Sequence, residues 1–259
     1  MVKTILITGA TSGFGKATAI RFAKEGYDVC ITGRRQDRLD ELKQELESDY
    51  NIKVITLHFD VRVKKQVVEA INNLKKQIDK IDILVNNAGL AAGFSSIDDG
   101  DTDDWDAMID TNLKGLLYVT REVLPMMKKH FAGHIINIGS TAGNIVYKNG
   151  GVYCATKFGV DALSQSMRID LLQYGIKVTA INPGMADTEF SLIRFKGDSE
   201  RAKNVYQGIK PLQANDIADI AWYCATLPPH VCINDITVTC LTQANSFYSI
   251  KDADKLENK

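Results

Sequence analysis

Thr4-Ile5-Leu6-Ile7-Thr8-Gly9-Ala10-Thr11-Ser12-Gly13-Phe14-Gly15 decides the fold: a short apolar run, a glycine-rich turn, then helical period. The run has the length of one buried strand. Glycines permit a tight turn and the close approach of a diphosphate, whose charge free amides and the positive end of the helix stabilise. The spacing, Gly-x-x-x-Gly-x-Gly, is a variant of the dinucleotide fingerprint. A glycine-rich strand–helix turn without a ligand is the plain alternative, and the place in the first strand–helix unit favours the nucleotide. Gly9, Thr11, Ser12, Gly13, Phe14 and Gly15 are thus candidate cofactor contacts.

Outward from this turn the pattern repeats. Thr4 to Thr8, Asp28 to Thr32, Lys53 to Phe59, Ile81 to Asn86, His134 to Ile138, Lys177 to Asn182 and Ile236 to Cys240 read as strands. Helical stretches lie between them, such as Arg38 to Glu47 with Leu39, Leu42 and Leu46 on one face. Alternation of this kind predicts a parallel sheet covered on both sides. The expected architecture is α/β, a single doubly wound Rossmann domain over 1–259 with a seven-stranded parallel sheet, its ligand site at the strand carboxyl ends.

Composition bounds the rest. The 259 residues are 45% apolar and 24% charged with net charge −1, and no dense Lys/Arg tract asks for nucleic acid or an anionic membrane. The five cysteines form no Cys-x-x-Cys pair, which fits a reducing compartment. The first apolar run is too short for a signal-peptide core or a membrane span, so the cytoplasm is expected. His58, His130, His134 and His230 lack metal-ligand spacing, and no metal is expected.

The strand ends carry the chemistry. After the second strand, Gly33-Arg34-Arg35 stands where a carboxylate would accept from a ribose 2′-hydroxyl; arginine grips a 2′-phosphate instead, favouring NADP over NAD. Arg34 is assigned the larger share of that phosphate. Asp60-Val61 suits an adenine, or Asp60 caps the next helix. Asn86-Asn87-Ala88-Gly89 either stitches strand ends together or faces the cofactor. Asn112, amid apolar residues of a helix expected from Asp103 to His130, either satisfies a core group or holds a water. Ser140, at the end of the fifth strand, is a donor to a substrate oxygen or a turn residue.

Tyr153-Cys154-Ala155-Thr156-Lys157 places a phenol and an ammonium on one helix face. Tyrosine titrates near 10, and a fixed neighbouring cation brings it toward useful proton transfer. The spacing alone is weak evidence, because Tyr206 and Lys210 repeat it.

Taken in order, Thr8-Gly9-x-x-x-Gly13-x-Gly15, Asn86-Asn87-Ala88-Gly89, Asn112, Ser140, Tyr153-x-x-x-Lys157 and Pro183-Gly184 resemble the short-chain dehydrogenase/reductase family across nearly the whole chain. The resemblance implies a nicotinamide-dependent alcohol/carbonyl enzyme with a catalytic tetrad of Asn112, Ser140, Tyr153 and Lys157. It implies that Lys157 binds nicotinamide-ribose hydroxyls and lowers the pKa of Tyr153. It puts Asp60 and Val61 at the adenine, and Asn87, Ala88, Gly89 and Ile181 to Thr188, including Pro183, Gly184 and Thr188, along the cofactor.

Thr188-Glu189-Phe190-Ser191-x-x-Arg194-Phe195-Lys196-Gly197-Asp198 and Leu227-Pro228-x-His230-Val231-x-Ile233-Asn234 are similar to the NADP-dependent serine/3-hydroxy acid dehydrogenase branch. That branch implies homotetramers that oxidise serine, allo-threonine and related 3-hydroxy acids or reduce semialdehydes. Residues 185–212 are expected as a substrate lid with Met185, Phe190, Ile193 and Phe195 as pocket walls. Arg194 either binds the substrate carboxylate or is solvated. Tyr206-Lys210 is expected as lid surface, and 249–259 as a charged tail. A reductase of uncharged carbonyls and a non-catalytic NADP-sensing module are the rival readings.

Overall fold

The computed structural model describes residues 2–251; of the expected charged tail, 252–259 lie outside the described residues. Within them, β1 (Thr4–Ile7), β2 (Asp28–Gly33), β3 (Val54–His58), β4 (Ile83–Asn86), β5 (Gly133–Ile138), β6 (Ile176–Pro183) and β7 (Asp235–Val238) form one sheet. Every pairing is parallel, in the order β3-β2-β1-β4-β5-β6-β7. The chain leaves β1 for β2 and β3 on one side, then crosses back to pair β4 with β1, in register Ile5 to Ile83. That reversal opens a crevice beyond the carboxyl ends of β1 and β4.

The inner strands β1 and β4 are buried throughout because both faces are covered, while β7 at the edge is half-exposed. Ile5 and Ile7 point into one core with Phe22, Leu39, Leu42 and Ile217, from α1 (Gly13–Lys24), α2 (Gln36–Tyr50) and α9 (Ala214–Thr226). Leu6 points the other way, to Val67, Ile71, Val119 and Val160, from α3 (Lys64–Leu74), α5 (Leu116–Lys129) and α6 (Gly151–Leu171). Each such fully buried side chain stabilises by roughly 1.5–3 kcal/mol, and the strand period of two delivers the residues alternately to the two cores.

Two expected elements differ in detail. The helix expected over Asp103 to His130 is α4 (Thr102–Ile109), a π-helical turn over Asp110–Gly115, and α5. The turn inserts a residue where Asn112 points inward, and such bulges mark functional positions. The last strand ends at Val238, two residues before Cys240, and the chain then folds back so that Ile250 N donates to Thr242 O. The five cysteines are free thiols.

Residues 185–212 leave and rejoin the sheet at one point, where Leu212 N donates to Met185 O and Asp187 N to Leu212 O, both at 2.9 Å. Between lie α7 (Phe190–Arg194) and α8 (Ser199–Asn204), over the carboxyl ends of the strands. Lys196 ties this segment to α4, 3.1 Å from Asp101 and 3.0 Å from Asp104. Among the described residues no helix is long and apolar enough to cross a membrane.

Candidate active site

Between β1 and α1 the backbone passes through Gly9 at φ +66° and Gly13 at φ +53°, conformations that favour glycine. A Cβ at Gly15 would stand 2.4 Å from Gly9 O and 2.5 Å from Asn87 Nδ2. Gly15, expected at the cofactor, thus acts by letting α1 pack against the strand end, and it does not line the cavity. Gly9, Thr11, Ser12, Gly13 and Phe14 do line it. Ser12 flanks α1 without capping it, and the first turn holds no acidic residue, so the positive helix end stays available to an anion.

The cavity measures about 490 Å³, within the range of small-molecule sites. At one end stand Arg34, Arg35, Asp60 and Val61. Asn87, Ala88, Gly89, Pro183, Gly184 and Thr188 follow, and Ser140, Tyr153, Lys157, Met185 and Arg194 close the other end. Segments spread from residue 9 to residue 246 are gathered here by one crevice.

The two arginines differ. Arg35 donates to Thr11 Oγ1 at 2.8 Å and to Ser12 Oγ at 3.1 Å, directly on the glycine turn. Arg34, given the larger share from the sequence, has a side chain 59% exposed and stands 3.9 Å from Asp60. Asp60 caps no helix; α3 follows Val63, and the Asp60 carboxylate takes bonds from Arg62 N and the Arg62 guanidinium. Asn87 is a stitch as well as a wall, its Nδ2 donating to Thr8 O at 2.8 Å and Gly9 O at 3.1 Å. Asn86 likewise donates to Thr120 and Asn137 on neighbouring elements.

At the far end, Tyr153 and Lys157 are 8% and 7% exposed on the first two turns of α6. Lys157 Nζ donates to Ile138 O at 2.8 Å, and burial pushes its pKa down to about 8. Burial pushes the Tyr153 phenol up to about 12, against the pull of Arg194 and of a hydrogen bond with Ser140. Arg194 is thus a second cation beside the phenol, with Lys157, the one the sequence pointed to, placing its Nζ 5.9 Å from the ring centroid. Ser140 also accepts from Ala142 N at 3.1 Å, so it is both a turn residue and a neighbour of the phenol.

Asn112 lies behind the cavity wall. Its Nδ2 donates to Leu90 O at 2.8 Å and Thr156 Oγ1 at 3.0 Å, and Oδ1 accepts from Leu90 N at 2.9 Å. Both amide hydrogens are committed, leaving one lone pair for a water. A Cβ on Gly89 would sit 3.3 Å from Asn112 Oδ1 and 3.6 Å from Lys157 Nζ, so that glycine keeps the approach to both open.

Arg194 is not a solvated lid residue. Its guanidinium carbon is 5.0 Å from the Tyr153 ring centroid, 5.3 Å from Phe190 and 5.7 Å from Tyr147, and Nη2 donates to Tyr147 Oη at 2.5 Å. Its buried Nε has no hydrogen-bond partner among the described residues. Met185, Phe190 and Ile193 line the cavity as expected; Phe195 instead packs edge-on against Phe94, 6.3 Å between centroids. Tyr206, expected on the lid surface, is not there. It follows α8 in a turn, is half-buried, and shares hydrogen bonds with Ser191 and Ala186 O, both at 2.7 Å.

Sequence reasoning missed Tyr147, Arg38 and Glu189. Arg38, three residues beyond Arg35 at the start of α2, had a readable helical spacing; Tyr147 and Glu189 sit in irregular chain and gave no signal.

A model of the short chain dehydrogenase family matches residues 3–196. The chain is 46% identical over 247 residues to an NADP-dependent 3-hydroxy acid dehydrogenase from Salmonella typhi, covering 95% of this chain and 98% of the relative. It is 44% identical over 251 residues to a sulfoacetaldehyde reductase from Chromohalobacter salexigens, covering 96% and 99%. Among solved structures, a closed form of serine dehydrogenase complexed with NADP+ superposes with a TM-score of 0.89 at 45% identity, covering 95% of this chain and 98% of that one. Matched by the family model from its first strand to beyond Arg194, and alike in sequence and fold to these enzymes almost end to end, the chain belongs to the short-chain dehydrogenase family.

Proposed function

We propose that the chain is an NADP-dependent oxidoreductase for small 3-hydroxy acids of the serine, allo-threonine and 3-hydroxypropionate type, or for the corresponding semialdehydes. The observation that carries the substrate class is Arg194, a guanidinium walled by aromatic rings beside Tyr153 with Nε unpartnered. A planar oxyanion suits such a fork, and the relatives are named for a 3-hydroxy acid, sulfoacetaldehyde and serine.

The residues fit the cofactor. Arg34 and Arg35 would supply cations to a 2′-phosphate, the glycine turn and the uncapped start of α1 suit a diphosphate, and Asp60 and Val61 would flank the adenine. Lys157 would hold ribose hydroxyls. Bound NADP supplies the hydride acceptor in oxidation and the hydride donor in reduction.

The chain's own groups move the proton. Tyr153 donates it to the carbonyl oxygen in reduction and takes it from the hydroxyl in oxidation; a buried phenol pushed up to about 12 is poised as the donor. Ser140 donates to the same substrate oxygen and stabilises its developing charge. Asn112 holds Leu90 and Thr156 in place, and its free lone pair is the one contact open to a relay water. Residues 185–212 act as the lid, with Met185 against the substrate. The assembly is read as a cytoplasmic homotetramer on the family resemblance alone.

Initial rates of NADPH formation with L-serine, allo-threonine and 3-hydroxypropionate, each beside an alcohol lacking the acid group, test this reading. Turnover confined to the acids is expected. Equal turnover of the neutral alcohols would transfer the function to a general carbonyl reductase, and no turnover of either to a cofactor-sensing module.

A further inference from the structure

Glu189 holds two arginines at the edge of the cavity. Its Oε2 is 3.1 Å from Arg35 Nη1 and its Oε1 2.8 Å from Arg38 Nη1, and Glu189 and Arg35 both line the cavity. We propose that Glu189 is a built-in rival of the cofactor's 2′-phosphate, holding Arg35 and Arg38 until that phosphate displaces it. This inference rests on the reading of NADP as the cofactor with its 2′-phosphate at Arg35, and it adds Arg38 to that site.

The sign of the effect follows from the contacts. Arg35 has anchors of its own on Thr11 and Ser12, so it needs no carboxylate to aim it at the turn. The ion pairs are accessible, with all three side chains about two-fifths exposed. Exposed pairs of this kind are worth little and exchange readily. A phosphate monoester carries close to two negative charges at neutral pH against one on Glu189, so it wins the arginines. A carboxylate left beside it repels it. Burial opposes ionisation of Glu189, but the bonds from Arg38 and Arg35 prevail and hold its carboxyl below the usual range, so the rival is charged throughout the neutral region.

The displaced group belongs to the segment over the substrate. Thr188 packs on the glycine turn, 3.5 Å from where a Cβ on Gly13 would lie. Glu189 directly precedes α7, whose last residue is Arg194. Release of Glu189 by a 2′-phosphate therefore acts on the helix that carries Arg194 to Tyr153. A cofactor without that phosphate leaves the pairs closed.

The test is equilibrium binding of NADP+ and of NAD+, followed by calorimetry, to the wild-type protein, Glu189→Gln and Arg35→Gln. Glutamine keeps the shape and removes the charge on an accessible side chain. The expected result is NADP+ bound about three- to tenfold tighter by Glu189→Gln, NAD+ changed less than twofold, and NADP+ weakened at least tenfold by Arg35→Gln. Weaker NADP+ binding by Glu189→Gln, or equal shifts for both cofactors, overturns the rivalry. If Arg35→Gln leaves NADP+ binding unchanged, the placement of the phosphate falls, and the rivalry with it. Hydrogen exchange over 189–197 gives a second readout: NADP+ shifts it more than NAD+ in the wild type, and identical shifts would remove the link to α7.

Discussion

Tyr153 with Lys157 and Tyr206 with Lys210 share one spacing and are held in different ways. The first pair opens a 21-residue helix, is buried, and faces a cavity with Ser140 and Arg194. The second lies beyond the end of α8; Tyr206 lines the same cavity, but its hydroxyl is bound to Ser191 and to the carbonyl of Ala186. Spacing puts two groups on one face only where a helix exists, and burial then gives their charges weight. The largest expected effect breaks the pairs apart. Tyr153→Phe lowers kcat by about 10³-fold or more, the scale of lost general acid–base catalysis, with NADP+ binding by calorimetry within about threefold of wild type. Tyr206→Phe keeps most of kcat. Comparable losses in both variants would erase the distinction.

Next in size is Arg194, the cation that lies nearer the phenol than its helix partner does. Arg194→Gln is expected to lower kcat/KM about 10²-fold on acids and much less on neutral analogues, the cost of leaving a bound anion unpaired. It also tests the electrostatics. A cation favours the phenolate, so its removal raises the Tyr153 pKa further, and the acid limb of the oxidation profile moves to higher pH. An unmoved limb would return the tuning of Tyr153 to Lys157 alone.

The sheet was legible because seven apolar runs alternate with helical period, and a doubly wound parallel sheet buries such runs on both faces. The glycine turn, Ser140 and Tyr153-Lys157 were legible for the same reason: they sit at strand ends or helix starts, where topology fixes their place. What escaped is contributed by irregular chain. Nothing local says that Tyr147 meets Arg194, that Glu189 reaches Arg35 and Arg38, or that Arg35 rather than Arg34 lies on the turn; these depend on how 141–150 and 185–212 fold over the crevice. The π-turn at Asn112 was invisible because a helix with one inserted residue keeps its apolar pattern on either side.

Lys157 also carries a pH-dependent cost in stability. An ordinary lysine titrates at 10.5 and this one at about 8, because burial disfavours its charge. Below pH 8 the ammonium is charged in folded and unfolded chains alike, and the folded state bears the desolvation cost. Between about 8 and 10.5 the unfolded chain binds the extra proton, so this cost declines as pH rises. Lys157→Met should raise stability by about 1–2 kcal/mol at pH 7, part of the 1.36 kcal/mol per unit being offset by the lost bond to Ile138 O. The gain should shrink toward pH 10, while turnover is lost. Denaturant midpoints at pH 7 and pH 10 read this, and a gain independent of pH would mean that packing, not charge, separates the variants.

The smallest effect belongs to Tyr206. Its hydroxyl joins Ser191 on α7 to the root of the segment at Ala186, so Tyr206→Phe leaves Ala186 O without that bond and α7 less firmly placed. A single neutral hydrogen bond contributes about 1 kcal/mol, and that is the expected loss in unfolding free energy. Arg194 travels on the same helix, so KM for acids should rise a few-fold with kcat nearly unchanged, the signature of weakened binding common to ground and transition states. A fall in kcat with KM unchanged would instead bring Tyr206 into the chemistry and restore the symmetry of the two pairs.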